Sequence, residues 1–183
     1  PTSGFDIYPY SEFREELIKR GAFPIVSDTE SLATCKDKML TYERLSAKFD
    51  LPFTTTDPSA IGSFPIMAKP RYGKGSRDIM RLDNSDDVRY VTSKMKDLIF
   101  QEFLPGTEYT IDVLSDLEKN ALMAVPRIRI QTKAGISTKG RILKNKKIED
   151  ESKQIAEFIG IRGPCCIQMK EDVNGIVKLV EVN

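Results

Sequence analysis

The side chains best suited to chemistry lie at the C-terminal end, in two alternating runs around Asn174-Gly175. Asn-Gly flanked by alternating apolar and polar residues is a β-hairpin signal. With Asn174 and Gly175 as a two-residue turn, Val173 pairs with Ile176 and Gln168 falls opposite Glu181. Amide and carboxylate then share one face, with Asn183 two residues further along it. The other face holds Ile167 opposite Val182, Met169 opposite Val180 and Glu171 opposite Lys178. Oxygen ligands backed by an apolar sheet suit a hard divalent cation such as Mg²⁺, which often completes its shell with substrate phosphates. A half-exposed hairpin whose polar face merely meets water gives the same alternation.

Lys69-Pro70-Arg71-Tyr72-Gly73-Lys74-Gly75-Ser76 is the second candidate. Small residues after a strand let backbone N–H groups approach an anion closely, and phosphate is the natural guest. The segment is neither a P-loop, since no Gly-Lys-Ser/Thr leads into a helix, nor a dinucleotide fingerprint. A solvated strand connection would read the same. Gln101-Glu102-Phe103-Leu104 could offer backbone donors and acceptors to an adenine, and Glu108, returned by a Pro105-Gly106 turn, could accept from ribose hydroxyls. Alone, that segment is an ordinary acidic hairpin. Arg127, Arg129 and Lys139 could gather against developing phosphate charge or form a solvated face.

Composition narrows the chemistry. Lys and Arg number 28 against 27 Asp and Glu, a net charge of +1, so no basic field is present for nucleic acid. Histidine is absent, which removes Ser-His and Cys-His nucleophiles and the usual zinc ligands. Three cysteines, two of them adjacent as Cys165-Cys166, match neither a disulfide framework nor a paired zinc spacing and favour a reducing compartment. No apolar run reaches the length of a membrane span and no signal peptide opens the sequence, so a cytoplasmic protein without membrane partners is the default. At 183 residues, 40% hydrophobic and 30% charged, the balance is that of a globular domain able to bury a core.

The elements that must position these residues follow from periodicity. Ser11 to Arg20 predicts a short helix ended by Gly21, and Phe23 to Val26 a short strand. Ser31 or Thr34 could cap a helix running through Lys38, Leu45 and Ala47, with Pro52 at its exit. Phe64 to Lys69 and Asp78 to Leu82 read as strands, and Asn84 to Met95 as a helix. Leu98 to Leu104 and Thr107 to Ser115 read as a second hairpin, with Tyr109, Ile111 and Val113 on one face and Glu108, Thr110 and Asp112 on the other. Ala121 to Ile130 is a strand with Arg127 and Arg129 pointing one way. Lys133 to Lys146 reads as a polar, mobile connection, and Glu149 to Ile159 as a helix buried through Ile155, Phe158 and Ile159 and ended by Gly160. This order argues α+β with substantial antiparallel sheet.

Taken together, Lys38, then Lys69 with Gly73 and Gly75, then Gln101-Glu102 and Glu108, then Arg129, then Gln168, Glu181 and Asn183 resemble the ATP-grasp superfamily. The resemblance is greatest to the ATP-grasp domains of the carbamoyl-phosphate synthase large subunit and related carboxylate-amine ligases. It runs from about Cys35 to Asn183, and is specific at the final hairpin and at Lys-Pro-x-x-Gly-x-Gly-Ser, looser from Gly106 to Lys139.

The resemblance implies an α+β fold in which two lobes with antiparallel sheets hold ATP between them, truncated here at both ends. Residues 1–30 would be a remnant of an upstream α/β lobe and 31–183 the ATP-grasp domain, with a small lobe over about 55–104 and the remainder of the large lobe over 105–183. It further implies that Lys38 and Lys69 contact the phosphates and that Gly73, Lys74, Gly75 and Ser76 form a mobile flap. Gln101, Glu102, Phe103 and Leu104 resemble the adenine hinge, and Glu108 the ribose carboxylate. Gln168, Glu181 and Asn183 resemble the ligands of Mg²⁺, or of Mn²⁺ in its place, and Arg129 and Lys139 are the candidate catalytic cations. The implied partners are small-molecule carboxylate and amine substrates, or bicarbonate and ammonia, joined through an acylphosphate, with a second copy or a partner subunit as a further possibility. The family motif normally continues past the Asn with Pro-Arg, whereas this sequence stops at Asn183. The alternative is therefore a nucleotide-binding or assembly module without ligase activity of its own. A kinase-like phosphotransferase is disfavoured, because neither His-Arg-Asp nor Asp-Phe-Gly occurs.

Overall fold

A computed structural model describes residues 6–73, 75, 77–133 and 135–183, with residue 136 described by its backbone alone. Helices α1 (Ile7–Glu12) and α2 (Arg14–Lys19) replace the single predicted helix, because Phe13 between them leaves helical geometry. The segment Phe23 to Val26 is irregular and pairs with no strand among the described residues. Next come α3 (Thr29–Lys36) and α4 (Lys38–Leu45), where one continuous helix was expected. Asp37 separates them: its backbone is extended, and its carboxylate accepts from Met39 N at 3.0 Å and Leu40 N at 3.2 Å. A short acid that accepts from the second and third amides after it ends one helix and caps the next. Ser31 is no cap; its hydroxyl donates to Ile159 O at 2.7 Å.

The remaining elements are β1 (Thr54–Thr55), β2 (Ile66–Pro70), β3 (Met80–Leu82), α5 (Ser85–Lys94), β4 (Leu98–Glu102), β5 (Glu108–Ser115), β6 (Ala121–Lys133), β7 (Ile136–Ile142), α6 (Lys146–Ile159), β8 (Gly163–Glu171) and β9 (Val177–Val182). They build two antiparallel sheets, a smaller one in the order β1-β4-β2-β3 and a larger one in the order β7-β6-β5-β8-β9. The α+β expectation holds.

Three further expectations fail for identifiable reasons. β4 and β5 do not form a hairpin, because β1 and β2 occupy both edges of β4 and β5 starts the other sheet. Pro105 and Gly106 carry the chain across instead. Gly106 N donates to Glu171 O at 3.0 Å, and a Cβ at Gly106 would collide with Glu171, so the crossing needs glycine. The segment expected to be a mobile connection contains β7, which pairs Arg129 with Gly140 and Ile128 with Arg141. Its charges reflect an edge position, where they discourage further pairing. Phe158 is 41% exposed, whereas Ile148, Ser152, Ile155, Ala156 and Ile159 form the buried row of α6. That row recurs at helical spacing and Phe158 lies off it.

Each sheet has its own core. One face of the large sheet, through Tyr109, Ile111, Val113, Ile167, Met169, Leu179 and Val182, packs on α6 and on Leu45 of α4. The small sheet packs Ile66, Ala68, Leu82, Leu98 and Phe100 around Val91 of α5. Among the described residues no helix is long and apolar enough to cross a membrane.

Candidate functional site

The outer face of the large sheet and the small sheet enclose a cavity of about 380 Å³, the size of a small-molecule site. Its floor depends on a register detail in β8 and β9. Gln168 does face Glu181, but not by way of the predicted turn. The loop is closed by Asp172, whose N–H donates to Ile176 O at 2.9 Å and whose Oδ1 accepts from Asn174 N and Ile176 N, while Gly175 adopts φ +76. That one-residue lengthening pairs Met169 with Leu179 and Glu171 with Val177, in place of Val180 and Lys178. A β-bulge at Val180 then restores the register, so Ile167 still faces Val182 and Gln168 still faces Glu181. The two errors cancel at the site, and the bulge turns Val180 as well as Glu181 toward the cavity.

Lys69 projects from β2 and is only 9% exposed. Its Nζ donates to Gln101 Oε1 at 2.6 Å. Burial pushes its ammonium down to about 8, opposed by Glu181 and Glu108 and reinforced by Lys38 and Lys170. Lys38, the first residue of α4, donates to Gly73 O at 3.1 Å and lies 3.8 Å from the Glu181 carboxylate. The glycine-rich segment therefore starts from a fixed base. Asp37 accepts both Arg71 Nε and a terminal Arg71 nitrogen at 2.7 Å and Tyr72 Oη at 2.9 Å, and Lys38 N donates to Arg71 O at 3.2 Å. Burial acts to raise the Asp37 carboxyl, but Arg71, the Leu40 amide and Tyr72 outweigh it and hold it at about 2. Gly75 adopts φ +72, whereas Lys74 and Ser76 lie outside the described residues.

Glu102 ends β4 and links the sheets. Its amide donates to Phe53 O at 2.9 Å, and both carboxylate oxygens accept from Lys178 Nζ at 2.8 Å. Phe103 and Leu104 follow it along the cavity wall. Glu108 accepts from Arg129 at 2.6 Å; Arg129 also donates to Gln168 Oε1 at 3.0 Å and to Gly135 O at 2.6 Å. Arg129 therefore sits beside the cavity and fixes two side chains that line it from the large sheet.

Lys38, Lys69, Gln101, Glu102, Phe103, Leu104, Glu108, Gln168 and Glu181 thus line one cavity. Lys139 is not among them: it is exposed on the edge strand, opposite Gln131. Asn183 lies two residues beyond Glu181 on the outer face, exchanging backbone hydrogen bonds with Cys166 at 2.7 and 2.8 Å, and borders a separate depression with Asp112 and Val125. Met67, Ile79, Met169, Lys170 and Val180 complete the lining and were not singled out as site residues from sequence. Met67 and Lys170 were within reach, since each lies two residues from a candidate on the same strand face. Val180 did leave a signal: the adjacent apolar residues Leu179 and Val180 shift the alternation of this strand by one position, as a bulge does.

Among the described residues no group of three or more His, Cys, Asp or Glu side chains could hold a metal. The Gln168 amide oxygen and the Glu181 carboxylate, opposite one another, nevertheless fit Mg²⁺, which needs few protein oxygens when phosphates supply the rest.

Residues 35–183 match the family model of the ATP-grasp domain, and the chain belongs to that family. It is 24% identical over 160 residues to the alpha-aminoadipate–LysW ligase LysX of Saccharolobus solfataricus, which covers 76% of this chain and 57% of that protein. The fold is similar to the D-alanine-D-alanine ligase of Coxiella burnetii, with TM-score 0.71 and 16% identity over 94% of this chain and 54% of that one. It is also similar to the biotin carboxylase domain of Hydrogenobacter thermophilus 2-oxoglutarate carboxylase, solved with MgADP and bicarbonate, with TM-score 0.77 and 17% identity over 100% of this chain and 47% of that one. The chain thus spans roughly half the length of these relatives.

Proposed function

We propose that this chain binds Mg²⁺-ATP between its two sheets and serves as the ATP-grasp part of a ligase that joins a carboxylate to an amine, or bicarbonate to ammonia, through an acylphosphate. The observation that carries the reading is the meeting of Lys38 and Lys69 with the facing pair Gln168 and Glu181 in one cavity. Two cations beside an oxygen pair suit a triphosphate and its metal, and the family membership and the ligase relative point the same way.

In this reading Lys38 and Lys69 neutralise phosphate oxygens, and the strand end at Phe103 and Leu104 receives the adenine. Glu108, steadied by Arg129, accepts from the ribose. Gln168 and Glu181 hold Mg²⁺, with Mn²⁺ as a substitute; when bound, the metal neutralises charge on the β- and γ-phosphates. A carboxylate oxygen attacks the γ-phosphorus, ADP leaves, and the amine nitrogen then displaces phosphate from the acyl carbon. Such a loose phosphoryl transition state depends on positioning and cations more than on a general base, in keeping with a chain that has no histidine.

The test is ADP release scored against panels of carboxylates and amines, with Glu181→Gln alongside. Turnover that needs both a carboxylate and an amine supports the ligase, whereas Mg²⁺-dependent ATP binding without turnover supports the binding-module alternative. Glu181→Gln keeps the fold and weakens Mg²⁺-dependent nucleotide affinity by about tenfold or more. Unchanged affinity in the folded variant would remove Glu181 from the metal site.

A further inference from the structure

Lys69 stands at the end of a buried chain of hydrogen bonds. Its Nζ donates to Gln101 Oε1 at 2.6 Å, Gln101 Nε2 donates to Thr54 Oγ1 at 2.9 Å, and Thr54 Oγ1 donates to Pro52 O at 2.9 Å. All three side chains are buried, Thr54 at 2% exposure, Gln101 at 7% and Lys69 at 9%. The chain has one direction only. An ammonium offers no lone pair and a carbonyl offers no proton, so its two ends fix every donor and acceptor between them. A flipped Gln101 amide would turn its NH₂ on the ammonium and its oxygen on a hydroxyl whose proton is already given to Pro52. Strand register builds this arrangement, since Thr54 and Met67 both face Gln101 from opposite sides of β4 and Lys69 lies two residues beyond Met67.

We propose that Thr54 and Gln101 are positioning residues that aim the Lys69 ammonium at the nucleotide's phosphates, with Gln101 acting as a neutral acceptor that orients the cation without cancelling its charge. The proposal rests on the nucleotide-binding reading above. It differs from the adenine-hinge role implied by resemblance, because the Gln101 amide is held between Lys69 and Thr54 and base contact falls to Phe103 and Leu104. A carboxylate at this position would hold the ammonium equally well but would pair with its charge before any phosphate arrived. The charged groups facing Lys69 from other elements are Glu181 of β9, Lys38 of α4, Lys170 of β8 and Glu108 of β5. They are two of each sign, so the partner in direct contact decides how much charge the lysine presents.

The test compares wild type, Thr54→Val, Thr54→Ser and Gln101→Glu in two measurements. The first is the affinity for Mg²⁺-ATP and for AMP at neutral pH by calorimetry. The second is the titration of Lys69 without nucleotide, followed by NMR of isotope-labelled lysine. Thr54→Val keeps the side-chain shape but frees the amide, and weakens Mg²⁺-ATP roughly tenfold and AMP about twofold. Thr54→Ser restores the hydroxyl and recovers affinity to within about twofold. Gln101→Glu raises the Lys69 midpoint by about one pH unit or more and weakens Mg²⁺-ATP. Equal losses for ATP and AMP in Thr54→Val, or an unmoved Lys69 midpoint in Gln101→Glu, overturn the relay. A wild-type chain that binds no Mg²⁺-ATP would sink the nucleotide reading instead. The lysine titration would still decide the relay, because it needs no ligand.

Discussion

A buried ammonium destabilises the fold that holds it, and Lys69 shows the sign of that cost. Its midpoint falls from the ordinary 10.5 to about 8 because burial disfavours the charged form. Below about pH 8 the lysine is protonated in the folded and unfolded chains alike, and the penalty is present in full. Between about 8 and 10.5 the unfolded chain binds more protons, so this group's contribution to stability rises with pH. Lys69→Met has no such dependence. The stability difference between the variant and the wild type, measured by urea unfolding, should therefore shift in favour of the wild type from pH 8 to 10.5. The same variant should bind ATP more weakly by a factor that grows from AMP to ADP to ATP, since each phosphate adds charge to neutralise. A pH-independent stability difference would show that Lys69 is not buried as a cation, and an equal loss for AMP and ATP would show that it is not used against phosphate.

At the scale of elements, the junction of α3, α4 and β2 sets where the glycine-rich segment begins. Asp37 caps α4 through Met39 and Leu40 and receives Arg71 and Tyr72 from the end of β2. One carboxylate therefore joins a helix packed on the large sheet to a strand of the small one. Asp37→Ala should cost about 2 kcal/mol in urea unfolding, from the lost cap together with the unpaired Arg71. The sign of the pH dependence is opposite to that of Lys69. Depressed to about 2, the Asp37 carboxylate contributes fully above its ordinary 3.8, and that contribution is lost as pH falls toward 2. The gap between wild type and variant should narrow over that interval. A gap that persists at pH 2 would mean that the charge on Asp37 is not what holds the junction.

On the scale of the whole molecule, the bonds that tie the two halves of the cavity together include, among the described residues, those of Asp37 and Lys38 to the segment Arg71 to Gly73, that of Lys178 to Glu102, with Asp172 3.5 Å from the same ammonium, and the backbone bond from Leu179 N to Asp50 O at 2.8 Å. Lys178 is 16% exposed at its side chain and Glu102 35%, so salt screens this link only in part. Lys178→Met should leave each core intact while loosening one sheet against the other. Amide exchange at Phe53 and Glu102 should speed up, and nucleotide affinity should fall several-fold, with AMP and ATP affected alike. Unchanged exchange at Glu102 in the variant would show that the ion pair does not hold the cleft.

Much of this molecule was legible before any fold was in view, wherever the determining contacts are local. Alternation in Glu108 to Ser115, the Gly160 cap and the helix begun at Asn84 each follow from residues within a turn or two, and each appears in the structure. The hairpin itself was readable, whereas the facing of Gln168 and Glu181 matches the reading only because the longer loop and the bulge offset each other. What lay beyond local reading was the assignment of strands to sheets. Nothing near Pro105 reveals that both edges of β4 are already taken, and nothing near Lys139 reveals that its segment has a partner in β6. The bulge at Val180 is foreshadowed by the adjacent apolar pair Leu179-Val180, but the residues it sets opposite one another depend on the pairing of the two strands. Residue types and short spacings determined which side chains could serve a nucleotide. Only the docking of one sheet over the other decided that Lys38 and Lys69 face Glu181 while Lys139 does not, because distances between elements depend on packing and pairing that no single segment encodes.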